Sequence, residues 1–236
     1  MRLFKALQIA LLTGVAGVSI GCGQIEVPLN LAIDPSSTIA LDMPLFPAPF
    51  DHAETTLVGG VETTAVVDLD PWNLISPDGI AAAIRIDDLL IAGEPILIAG
   101  GAFNTGTICT LLDPNSPSAG IALIQPFRHQ MDVQMTLNTV VSVTDPVLHS
   151  LLPGGLPFPA NIDATIPITL SDLFDLFLGL LFGGNGGLTG LELTQELSST
   201  IPDSVPLLAG SQITAKLTLV SVDAIPADPL LADCVQ

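Results

Sequence analysis

Only five of the 236 residues are Lys or Arg, tyrosine is missing altogether, and Trp72 is the sole tryptophan. So few cations exclude nucleic acid and anionic headgroups as partners, because both are bound through clustered basic side chains. The shortage of Trp and Tyr also thins the stacking surfaces on which sugar-cleaving sites rely, although paired carboxylates leave no diagnostic spacing of their own. Charged residues make up 12% of the chain and apolar ones 49%, too hydrophobic for a disordered segment. Beyond the first twenty residues no apolar run approaches the roughly 17 to 25 residues that a membrane-spanning helix needs. The 24 acids must therefore face water or metal ions, since a buried unpaired carboxylate costs several kcal/mol. The expected picture is an acidic shell around an apolar interior.

The N-terminus is different in kind. Arg2 and Lys5 precede an apolar stretch from Ala6 to about Ile20, and small residues lead into Gly21-Cys22. These are the parts of an export signal, with the basic residues held on the cytoplasmic side. The box Val18-Ser19-Ile20-Gly21-Cys22 resembles that of bacterial lipoproteins. That resemblance covers about 22 residues and implies cleavage before Cys22, a diacylglyceryl group on its thiol and a membrane tether. Ser19 stands where Leu is commoner. Gly23 stands where Asp would signal inner-membrane retention, so the resemblance implies the cell envelope, and its outer membrane in a Gram-negative source. The alternative is an ordinary or uncleaved signal in which Cys22 is a small apolar residue. Gly17-Val18-Ser19-Ile20-Gly21 matches the nucleophile-elbow pattern G-x-S-x-G, but cleavage would remove it from any folded domain.

Removal of residues 1–21 takes away Arg2 and Lys5, so the formal charge of −19 becomes two units more negative. Residues 22–236 are enough for a single β-rich domain. If Cys22 is acylated, Cys109 and Cys234 remain as a pair in an oxidising compartment, and a disulfide is expected. Two separate buried thiols are the alternative.

Alternation of apolar and polar residues points to a mainly β fold, an antiparallel sandwich or partly open barrel with one or two short helices. Period two runs from Ile25 to Leu45, interrupted by Asp34-Pro35-Ser36-Ser37, which leaves two strands or a hairpin. Thr55 to Leu69 reads as a strand with a bulge or bend at Gly59-Gly60. The segments 132–144, 161–170 and 213–219 alternate most clearly, and Pro95 to Ala99 and Ile121 to Ile124 are short buried strands. Ile80 to Ile91, with Ile80, Ile84, Asp87, Asp88 and Ile91, reads as a short helix or a strand, the spacing leaning to helix. Asp-Pro recurs at Asp34, Asp70, Asp113, Asp145 and Asp228 at irregular intervals, which indicates turn chemistry and no repeat.

A second helix is expected over Leu173 to Phe182, capped by Ser171, with Asp172 and Asp175 near its positive end and Gly183-Gly184 ending it. It is apolar on nearly every side. Such a helix either fills a core or lines an apolar cavity; in the second case Leu173, Phe174, Leu176, Phe177, Leu180 and Leu181 would face a hydrophobic ligand.

Chemistry is hard to place. His52, His129 and His149 form no close metal-ligand pair, and the acidic run Asp68, Asp70, Asn73 and Asp78 departs from the calcium-loop pattern at Trp72 and Asn73. The glycines from Gly183 to Gly190 miss the spacing of a phosphate cradle, and no cofactor is implied. The leading expectation is a membrane-tethered lipoprotein, not an enzyme, that binds or carries a hydrophobic small molecule such as a lipid. The second is a structural or adhesive lipoprotein whose partner is another envelope protein. An enzyme would need His129 or His149 to meet a carboxylate and a nucleophile in a cleft.

Overall fold

The computed structural model describes residues 24–68, 79–98, 101, 103–125, 128–151, 153–169, 171, 192–201, 203 and 208–235. Antiparallel strands dominate: β1 (Gln24–Ile33), β2 (Thr38–Asp42), β3 (His52–Asp68), β4 (Ile80–Gly93), β5 (Leu97–Ile98), β6 (Phe103–Asn104), β7 (Ile108–Leu112), β8 (Ala119–Gln125), β9 (Gln130–Val143), β10 (Leu156–Pro167), β11 (Glu192–Thr200) and β12 (Gln212–Val222). Two short helices, α1 (Pro146–Leu151) and α2 (Pro229–Asp233), complete the described elements. The fold is thus the mainly antiparallel β architecture with short helices that the alternation predicts.

All strands except the β5–β6 hairpin belong to one sheet. Two of its columns are each built from two consecutive strands. Both β1 and β2 run antiparallel to β3, with Gln24 opposite Asp68, Ala32 opposite Gly60, and Asp42 opposite His52. They are therefore collinear strands in one column and not a hairpin. The same arrangement holds for β7 and β8, which share the edge of β4 on one side and of β9 on the other. The columns follow the order β11, β12, β1/β2, β3, β4, β7/β8, β9, β10. The two outermost, β10 and β11, come against each other without a ladder among the described residues. The result is a barrel with one open seam.

Asp-Pro makes the two column breaks. Asp34 Oδ1 accepts from the Ser36 N–H at 2.9 Å, and Asp113 Oδ1 from the Asn115 N–H at 2.8 Å. A carboxylate that bonds the backbone two residues on mimics a turn. Hydrogen bonding from Ser36, side chain first and backbone second, holds the Asp34 carboxyl below its ordinary pKa. At the first break Ser37 is fully buried, and its hydroxyl donates to the Thr218 carbonyl at 3.1 Å and accepts from the Thr218 N–H at 2.9 Å. A side chain thus replaces the ladder bonds that the kink removes. Asp145 and Asp228 use the same chemistry to start α1 and α2. Asp70 lies outside the described residues.

Of the two readings of Ile80 to Ile91 the structure holds the strand, β4, and not the favoured helix, and a β-bulge explains the helix-like spacing. Glu62 of β3 pairs with Asp88 while Thr63 pairs with Ile86, so Asp87 is an extra residue. Before it Ala82, Ile84 and Ile86 face inward; after it Leu89 and Ile91 do. One inserted residue reverses the phase of a period-two pattern, and the sum imitates helical spacing. Outside the barrel the bulge exposes Asp87, which accepts from the Thr64 hydroxyl and, at 2.6 Å, from Arg85 Nε. Those two donors, Thr64 foremost, lower the Asp87 pKa. At Gly59-Gly60, where a bulge or bend is expected, Gly59 has φ 110° but the ladder with β4 runs unbroken through both glycines, and the register shift falls after Glu62.

Cys109 and Cys234 are bridged, their Cα atoms 5.6 Å apart. The bond fixes α2 to the outside of the barrel, where the Thr107 hydroxyl also donates to Asp233 at 3.0 Å. The core is a single cluster inside the barrel, with Met43, Leu89, Leu219, Val61 and Ile162 among its most deeply buried side chains.

Candidate functional site

The barrel has two distinct ends. At the near end β1 and β4 begin, β3 and β10 finish, and β11 starts. The far end carries the connections 43–51, 94–107, 144–155 and 201–211. The β5–β6 hairpin, α1 and the turn around Leu208 cap this end.

Three apolar cavities lie between the ends. The largest, about 70 Å³, sits under the far-end cap among Ile39, Ile96, Ile98, Val141, Leu148 and Leu208. A cavity of about 60 Å³ occupies the near end, between Leu29, Val67, Ile84, Ile124, Met131 and Leu193. The third, about 30 Å³, lies between them and takes lining residues from every column, including Val61, Leu89, Leu137, Ala160, Leu197 and Ala215. That a single small cavity is walled by all columns is what a closed interior requires.

Three of the threonine hydroxyls along this interior bond the backbone. Thr63 donates to the Leu29 carbonyl at 2.6 Å, Thr105 to the Gly106 carbonyl at 2.8 Å, and Thr139 to the Phe158 carbonyl. No described Lys, Arg, Asp, Glu or His lines any of the three cavities. Such a site can select by apolar contact and shape, and offers nothing that would move a proton or hold an ion.

The sequence-derived site residues fall in several places. Cys109 and Cys234 come together as predicted. Cys22 and the apolar segment bearing Leu173, Phe174, Leu176, Phe177, Leu180 and Leu181 lie outside the described residues, as do Asp70, Asn73 and Asp78. The histidines do not converge. His129 occupies a turn at the near end with φ 55°, whereas His52 and His149 are at the far end. Among the described residues no group of three or more His, Cys, Asp or Glu is placed to hold a metal ion, and no helix is long and apolar enough to cross a membrane. The cavity walls are the site that sequence reasoning does not assemble. Its signal is present in the inward positions of each strand, but which strands face one another across a barrel depends on column order.

His52 Nδ1 lies 2.6 Å from Asp42 Oδ1, both half exposed at the far end. The hydrogen bond to Asp42, aided by the charges of Asp42, Glu54 and Asp51, raises the His52 pKa above 6.5. Its protonated form is therefore favoured by folding. This stabilisation is fully present below pH 6.5 and is lost as pH rises through the folded-state pKa. An NMR titration should place the His52 midpoint above that of His52 in an Asp42→Asn variant; equal midpoints would contradict the pair.

No family model matches the chain, and no curated protein matches it. Among solved structures the chain is similar to DynF from the dynemicin biosynthesis pathway of Micromonospora chersina, at 12% identity over 87% of this chain and 82% of that one, with a TM-score of 0.45.

Proposed function

We propose that this chain is an exported lipoprotein, tethered to a cell-envelope membrane through lipid on Cys22, whose barrel binds or carries a hydrophobic small molecule. The observation that carries the ligand half is the interior itself: three cavities with apolar walls, in which the Thr63, Thr105 and Thr139 hydroxyls bond backbone carbonyls. Support for the tether comes from the lipoprotein-like box and from its position. Because β1 begins at Gln24, directly after Cys22 and Gly23, the tether would emerge at the near end, beside one cavity. The connection from β10 to β11, which contains the apolar stretch 173–182, also leaves and re-enters the barrel at that end. In a Gram-negative source Gly23 favours the outer membrane.

One preparation tests both halves. The full chain is expressed with labelled palmitate, purified in detergent and extracted with organic solvent. The expected result is covalent label that disappears in Cys22→Ala, together with a stoichiometric non-covalent lipid identified by mass spectrometry. An extract without lipid, repeated after incubation with added lipid, would end the carrier reading.

A second reading, an envelope protein that works by binding another protein, has one observation in its favour. Of the seven large apolar side chains exposed among the described residues, Leu45, Phe50, Leu97, Val147 and Leu151 all belong to the far end, on the 43–51 connection, β5 and α1. Clustered exposed apolar residues mark contact surfaces more often than scattered ones do. An empty barrel that captures a defined envelope protein through this end would favour it.

A further inference from the structure

We infer that the three cavities are segments of one bore that takes a single unbranched hydrocarbon chain lengthwise, with a neutral or zwitterionic headgroup left outside. The inference rests on the carrier reading and names the ligand class within it. Ile39 and Val141 line both the far-end and the middle cavity, so the two spaces adjoin at these side chains. On the other side, Met135 and Thr63 line the near-end cavity while Leu137 and Val61, the next inward residues on β9 and β3, line the middle one. The far-end and middle cavities share two lining residues, whereas the near-end and middle cavities share none and are separated by two adjacent inward rows. Met135 is the kind of residue that moves aside readily, having three rotatable bonds and no branch.

Shape weighs against the alternatives. No cavity exceeds about 70 Å³, so any long ligand must move side chains, and a fused ring system or two chains side by side would displace more of the wall at one level than a single chain does. Length is available instead. Inward residues of β9 from Met131 to Val143 run the whole bore, which at roughly 3.3 Å per residue and a tilt of about 40° spans roughly 30 Å. Charge sets the headgroup. Arg85 and Lys216 are exposed outward, Arg128 in the turn before β9 is the one described cation at the near end, and the surface is strongly acidic, so the net field repels an anionic head and favours a neutral or zwitterionic one.

The test measures binding of monoacyl phosphocholines of about eight to eighteen carbons below their micelle concentrations, with a diacyl phosphocholine for comparison. Burial of each further methylene should tighten binding about fourfold, and the gain should continue past lengths that one cavity can hold. Ala160→Leu and Ala215→Leu fill the middle cavity from β10 and β12, the two columns that flank β11. In each, the gain should stop at an intermediate length while short chains bind as before, which also reports that the variant is folded. Val141→Ala enlarges the space where the far-end and middle cavities adjoin and should strengthen binding of the long chains only. If wild-type protein binds no probe of any length, the carrier reading itself fails. If it binds, but with affinity indifferent to chain length, to the fillers, or to one chain against two, the lengthwise bore is wrong and the carrier reading stands.

Discussion

Cys234→Ser should lower the melting temperature by about 10 °C or more. The Cys109–Cys234 bridge closes a span of 125 residues, for which the chain-entropy model predicts roughly 4 to 5 kcal/mol of stabilisation, an upper range for such bonds. For a chain of this size each kcal/mol moves the midpoint by roughly 2 to 4 °C. Serine at 234 is the cleaner probe because Cys234 is half-buried, whereas Cys109 is 2% exposed. Cys109→Ser would add the cost of a buried hydroxyl and should fall further still. Hydrogen exchange should show which part yields first: α2 and the tail segment around Ile225, which cross the outside of β3 and β4. A shift of less than about 3 °C, or unchanged protection in that tail, would mean that the bridge ties together segments already held by packing.

Much of the barrel is legible in the sequence because inward alternation is a local property. The strands over 132–144, 161–170 and 213–219 need only their own residues to be recognised; in the structure β9, β10 and β12 each begin earlier, and β9 and β10 end at Val143 and Pro167. The cysteine pair is legible by counting. What escapes depends on neighbours. β4 carries a correct alternation in each half, and only the pairing with β3 reveals that Asp87 is an insertion between them. β11 has just Leu193 and Leu197 turned inward among Glu, Thr, Gln and Ser, so its strand character comes from pairing with β12 along its whole length. The Asp34 and Asp113 turns look like hairpin loops in sequence, yet the neighbouring columns continue straight past them and keep the chain in line. The bore is the extreme case. Its walls come from every column, and no window of sequence contains more than a fraction of them.

Gly59→Ala should cost about 3 kcal/mol or more, a large fraction of the stability of an ordinary domain. Two penalties coincide there. Gly59 has φ 110°, a conformation that side-chain-bearing residues rarely adopt. A Cβ built on it would also lie 2.2 Å from the Leu90 carbonyl oxygen of β4 and 2.9 Å from Leu231 Cδ2 of α2. The first atom is backbone in a paired strand and cannot retreat without breaking the ladder beside the bulge; the second is the tip of a flexible side chain. Gly154 separates the two penalties, because it has φ 89° and nothing within 4 Å of the position a Cβ would take, so Gly154→Ala should cost only the conformational part, about 1 to 2 kcal/mol. Urea denaturation of both variants measures the difference, and equal losses would refute the close approach of β3 to β4 at Gly59. Combining Gly59→Ala with Cys234→Ser then asks what the tail contributes. Freeing α2 relieves the Leu231 contact and leaves the Leu90 carbonyl in place, so the two losses should be nearly additive. A loss at Gly59 that largely vanished without the disulfide would locate the strain in the strapped tail instead of in the barrel wall.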